Sequence, residues 1–108
     1  MSRIKITSKT GVAYTLEFDR KSVEVAERTL KFSLTDLMDG KLTYFPYLFQ
    51  AAFLKNHPKM KPAVVQELFG QVENKMELYQ ALTAMYAETI GQLVDEPEEG
   101  NSIGWEIE

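Results

Sequence analysis

The sequence predicts an α+β fold, mostly helical: an N-terminal β-hairpin, then about four to five packed helices and an acidic C-terminal tail. Three observations carry that expectation. The first eighteen residues alternate polar and apolar side chains with the period of a half-buried strand. Through residue 94 the apolar positions then recur three and four apart, the spacing of one helix face. From Asp95 onward the chain turns acidic and bears Gly and Pro. A length of 108 residues suits one domain and not two. The expected organisation is one globular domain over residues 1–94 and a mobile acidic tail over 95–108, ending in a strand-like docking pattern.

Ile4 and Ile6 alternate with polar residues, and so do Val12, Tyr14, Leu16 and Phe18, which predicts strands over about 3–7 and 12–18. Ser8, Lys9, Thr10 and Gly11 suit the turn between them. A two-stranded hairpin is marginal alone, so its apolar face must rest on helices. Asp19 can cap the first helix, which carries Val23, Ala26 and Leu30. Ser33 and Asp36 stand at capping-box spacing before a short helix ending at Gly40.

The next helix is the most apolar stretch of the chain. Tyr44, Phe45, Tyr47, Phe49 and Phe53 fall within Tyr44–Leu54, with no charge among them. Thr43 is the expected cap and Pro46 lies in the first turn, while Asn56, His57 and Pro58 end the segment. A helix apolar nearly all round must be buried on more than one side, by its own core or by another chain. Pro62 opens a further helix expected to end at Gly70. Asn74 and Glu77 form a capping pair for the longest helix, about 75–94, whose Leu78, Leu82, Met85, Tyr86, Thr89, Ile90 and Leu93 share a face. In the tail, Ile103, Trp105 and Ile107 alternate, and that strand can dock on its own domain or on a neighbour.

Chemistry is harder to assemble. The absence of cysteine excludes disulfides and thiolate metal sites. His57 is the only histidine, so a metal or a catalytic triad lacks its partners, and a capping or surface role is expected. The six glycines are scattered and make no phosphate loop. Neither a signal-peptide core nor an apolar run long enough to span a membrane is present. The expectation is a non-enzymatic binding module without cofactor or metal.

Charge is unevenly distributed. Residues 1–61 hold eleven Lys/Arg against six Asp/Glu, and residues 62–108 hold one against ten. Such halves are either separate solvated surfaces or complementary faces for head-to-tail association or a basic partner. The basic residues of the N-terminal third are interleaved with acids, a diluted pattern for a nucleic-acid face.

In order and residues, the chain resembles the small tail assembly chaperones of long-tailed bacteriophages and prophages, particularly those of Gram-positive hosts. Tyr14-Thr15-Leu16-Glu17-Phe18-Asp19-Arg20, Leu48-Phe49, Ala52-Phe53, Asn56-His57, Leu82, Met85-Tyr86 and Trp105 carry the resemblance. It implies a mainly helical protein made in the cytoplasm of the bacterial host and absent from the mature virion. It implies binding to the tape-measure protein, which is kept soluble while tail-tube subunits are recruited. In many such families a frameshift adds a further C-terminal domain. The residues expected to make protein contacts are Tyr44, Tyr47, Leu54 and Trp105, and a homo-oligomer is expected. The alternatives are a structural adaptor or minor tail protein of the virion and a small nucleic-acid-binding regulator. No nucleic-acid or membrane partner is expected on the leading account.

Overall fold

In the computed structural model, which describes residues 2–108, an antiparallel hairpin is followed by five helices, an α+β arrangement that is mostly helical. Strand β1 covers Ile4–Thr7 and β2 covers Ala13–Leu16, in the register Ile4↔Leu16, Lys5↔Thr15, Ile6↔Tyr14 and Thr7↔Ala13. Gly11, at φ 86°, makes the left-handed corner of the turn. The second strand is shorter than its alternation predicts. The Glu17 amide donates to the Ala52 carbonyl at 3.0 Å, which draws the chain off the hairpin and onto the helices.

Helix α1 is Arg20–Arg28. Asp19 Oδ1 accepts from the Ser22 amide at 2.8 Å, and Ser22 Oγ accepts from the Asp19 amide at 2.9 Å, a reciprocal box that satisfies two free donors. Helix α2, Leu34–Met38, begins with the Ser33–Asp36 box read from the sequence, and Gly40 follows it at φ 72°.

The aromatic segment differs from expectation in two ways. Thr43 caps nothing: it lies inside a 3₁₀ turn, Leu42–Tyr44, and helix α3 runs only over Phe45–Ala51, with Tyr44 at its N-cap making no side-chain bond. Beyond Ala51 the chain continues to Asn56 as overlapping turns. The Ala52 carbonyl, which a longer helix would offer to residue 56, is taken by Glu17.

Helix α4, Pro62–Gln71, runs through Gly70 rather than stopping there, since Gly70 is not left-handed. Helix α5 is Lys75–Gly91, extended by a 3₁₀ turn over Gln92–Val94. The expected Asn74–Glu77 box is missing. Asn74 sits at φ 55°, and a cap must be extended to aim its side chain at the following amides. The turn is tied instead by Lys75 Nζ, which donates to the Val72 carbonyl at 2.6 Å.

One cluster of buried side chains joins these elements, with Leu16, Phe18, Phe32, Leu48, Phe49, Phe53, Leu82 and Tyr86 among its members. Rings meet edge-on or tilted: Phe18–Tyr86 at 5.3 Å, Phe45–Phe69 at 4.8 Å and Phe49–Phe53 at 5.0 Å between centroids. Tyr79, outside the face expected for α5, is buried as well, and its hydroxyl donates to the Leu37 carbonyl. Leu93, expected on that face, is exposed. Residues 95–108 carry no regular secondary structure and are exposed throughout. Among the described residues no helix is long and apolar enough to cross a membrane.

Candidate protein-interaction surface

The aromatic segment spends most of its apolar surface inward. Phe45, Leu48, Phe49, Ala51, Ala52 and Phe53 are buried, which leaves few of its side chains for a partner. The four expected contact residues fare differently from one another. Tyr44 is half-buried, its ring 6.1 Å from Phe32. Tyr47 is 45% exposed on the outer side of α3. Leu54 is half-buried in the wall of a cleft of about 240 Å³ that also involves Asp19, Val25, Lys55 and Pro58. Trp105 is 84% exposed, in the tail. The structure does not gather the four into one site.

A surface the sequence did not single out is the hairpin, whose two edges are treated oppositely. On the outer side of β2 the backbone of Thr15 and the amide of Glu17 are engaged by the chain that follows α3, and only Ala13 at the turn end is left uncovered. The Thr15 amide donates to His57 Nε2 at 3.0 Å, Asn56 Nδ2 donates to the Thr15 carbonyl at 3.3 Å, and the Glu17 amide donates to Ala52. His57 is therefore a latch rather than a cap. Since Nε2 accepts, the neutral ring carries its proton on Nδ1, and it is wedged 5.3 Å from Tyr14 and 6.0 Å from Phe53.

The Glu17 side chain completes the seal. Its carboxylate accepts from Lys55 Nζ at 2.7 Å and from Asn56 Nδ2 at 3.2 Å. The Lys55 bond first, then the Asn56 bond, hold this carboxyl below its usual 4.5, with smaller help from the charges of Lys55 and Arg3.

The outer side of β1 has no such cover. Thr15 points its backbone away from β1, so by the antiparallel register Ile4, Ile6 and Ser8 form the bonded pairs, and the Ser8 amide does donate to Val12 at 2.8 Å. The backbone groups of Lys5 and Thr7 face outward, and no loop or side-chain hydrogen bond among the described residues reaches them. Beside this edge, a groove of about 190 Å³ opens between the β1 end of the hairpin and the last turn of α4. Ile6, Leu68 and Val72 are its apolar lining, with Lys9 and Glu73 among its charged residues.

The described residues contain no cluster of three or more His, Asp or Glu placed to hold a metal. Tyr86 is a fully buried titratable group outside these surfaces. Burial first, and then the charge of Glu27, push its phenol upward, and its hydroxyl has no hydrogen-bond partner. With Phe18 and Phe32 against its ring, it belongs to the core.

A family model described as a domain of unknown function, DUF5055, matches residues 1–108. Neither the curated proteins nor the solved structures contain a match to this chain.

Proposed function

The chain belongs to the DUF5055 family, whose function is not known, and on the separate resemblance of its sequence to phage tail assembly chaperones we propose that it is a tail assembly chaperone of a long-tailed phage or prophage. On this account it acts without catalysis, in the cytoplasm of the bacterial host. It binds the tape-measure protein, keeps that long helical partner soluble, helps recruit tail-tube subunits, and is released before the virion is complete. The resemblance to phage tail assembly chaperones, not the matched family, suggests the identity of the partner.

The observation that carries the reading is the exposed apolar equipment on so small a domain. Tyr47 on α3, Met38 and Leu42 just before it, and Ile103, Trp105 and Ile107 in the tail are all exposed. Scattered apolar residues are ordinary, but a tail whose alternate residues are Ile, Trp and Ile is suited to binding something. The acidic stretch that precedes it favours solubility of a complex that shields apolar helices.

The experiment is a tagged pull-down from the cells that naturally make the protein, with mass spectrometry of what is retained. Recovery of a very long, helix-rich tape-measure protein is the expected result. Recovery of the bait alone or of nucleic acid would overturn the proposal. Detection of the chain in purified particles would replace it with a virion adaptor.

A further inference from the structure

We propose that the tail segment Ile103–Ile107 of one copy docks as an added strand on the open outer edge of β1 in a second copy, so that the chains associate head to tail. The two halves of the contact match on three counts. The first is the backbone. Lys5 and Thr7 present outward amides and carbonyls over a strand of four residues, and the tail offers five consecutive residues without competing secondary structure. Addition of a strand to an exposed edge is a general mode of peptide capture.

The second is the alternation of side chains. In an extended tail Ile103, Trp105 and Ile107 share one face, and Gly104, Glu106 and Glu108 share the other. The hairpin has the same division, with Ile4 and Ile6 packed toward the core and Arg3 and Lys5 exposed. Docked apolar face inward, the tail extends the inner sheet surface over the groove formed by Ile6, Leu68 and Val72, where an indole can be covered.

The third is charge. That same alignment sets Glu106 and Glu108 on the outer face with Arg3 and Lys5, and opposite charges across neighbouring strands are favourable. A lysine-bearing edge discourages indiscriminate pairing while accepting an acidic strand. The edge of β2 offers only Ala13, because Ala52, Asn56 and His57 already occupy it at Thr15 and Glu17.

The isolated chain leaves both halves unsatisfied. Its tail stands off the body, the molecule measuring 57 Å along one axis against 28 and 24 Å along the others. A contact of unlike surfaces closes when two copies exchange tails reciprocally and otherwise grows from copy to copy, so mass should rise to the dimer or beyond it. This inference stands apart from the chaperone proposal and can survive its failure.

Trp105 is the only tryptophan, so its fluorescence reports the tail directly. The full chain is followed by light scattering and tryptophan emission over a wide concentration range. The expected result is exposed-type emission from single copies at low concentration, and a blue shift that rises together with mass. Trp105→Ser should raise the assembly midpoint about thirtyfold, as for loss of a central aromatic anchor. Lys5→Pro removes an outward amide without touching the β1–β2 bonds, and Lys5→Glu reverses the edge charge in case proline disturbs the strand. Each variant alone should stay monomeric where the parent assembles. An equimolar mixture of tail and edge variants should form a dimer and stop there. Three results would overturn the proposal: blue-shifted emission at monomer mass at every concentration, which is docking on the chain's own edge; exposed emission throughout; or assembly indifferent to both changes.

Discussion

Tyr44–Leu54 and Ile103–Ile107 are the two most conspicuous apolar stretches of the chain, and the fold treats them oppositely. The first sinks Phe45, Phe49 and Phe53 into the core, and its continuation is stitched to β2 through Ala52, Asn56 and His57. The second, far shorter, stands in solvent. Apolar content therefore does not rank segments as binding surfaces. What decides is whether the rest of the chain supplies a partner. Val65, Tyr79 and Leu82 do so for α3, and the tail has none within its own fold.

The sharpest way to break that contrast is truncation at both places. Phe49 is fully buried between Phe53 and Phe69, so Phe49→Ala should cost about 3–5 kcal/mol in urea unfolding. Trp105→Ala should leave monomer stability within about 0.5 kcal/mol. Equal losses would mean that the tail is part of the folded body. Next in size is the stitching itself. His57→Ala removes the acceptor of the Thr15 amide and a ring from the Tyr14–Phe53 contact, for an expected loss of about 1–3 kcal/mol by the same assay.

Glu17→Gln should lower stability at neutral pH by about 1 kcal/mol. Its effect on pH dependence is more telling. A carboxyl held below its usual 4.5 contributes stability that is present above that value and lost as pH falls through the depressed one. Acid unfolding curves of the parent and the variant should therefore begin to converge as pH falls past 4.5 and meet below the depressed value. A gap that persists after the carboxyl has been protonated in the folded state would exclude the Lys55 pair as the cause. The smallest effect belongs to Tyr86→Phe. Deleting a buried hydroxyl without a partner should leave melting unchanged or raise it slightly, and a clear loss would reveal a hidden bond.

Much of the architecture was legible because local chemistry agreed with tertiary packing. Asp19 and Ser33 cap helices where the sequence places caps, Gly11 and Gly40 turn left-handed, and Pro62 opens α4. The misses share a cause. Thr43 and Asn74 are good capping residues whose backbones adopt other conformations under tertiary constraint, and Gly70 is compatible with a helix interior when the chain has no need to turn there. The shortened α3 was invisible because its end is set by Glu17, more than thirty residues earlier in the chain. Of the candidate surface, Tyr47 and Trp105 were readable as apolar residues at outward positions. The open edge of β1 was not. It is defined by which backbone groups remain unpaired, and that follows from a register and a covering loop, neither of which leaves a mark in side-chain pattern.

The seal on β2 also has a timetable. Thr15 waits for His57, 42 residues later, and Glu17 waits for Lys55, 38 residues later. The hairpin is complete by Leu16. At synthesis rates of about 5–20 residues per second, roughly 2–8 s separate emergence of the hairpin from emergence of its cover. During that interval neither edge is covered and the hairpin, marginal alone, is open to pairing with a neighbouring chain on either side.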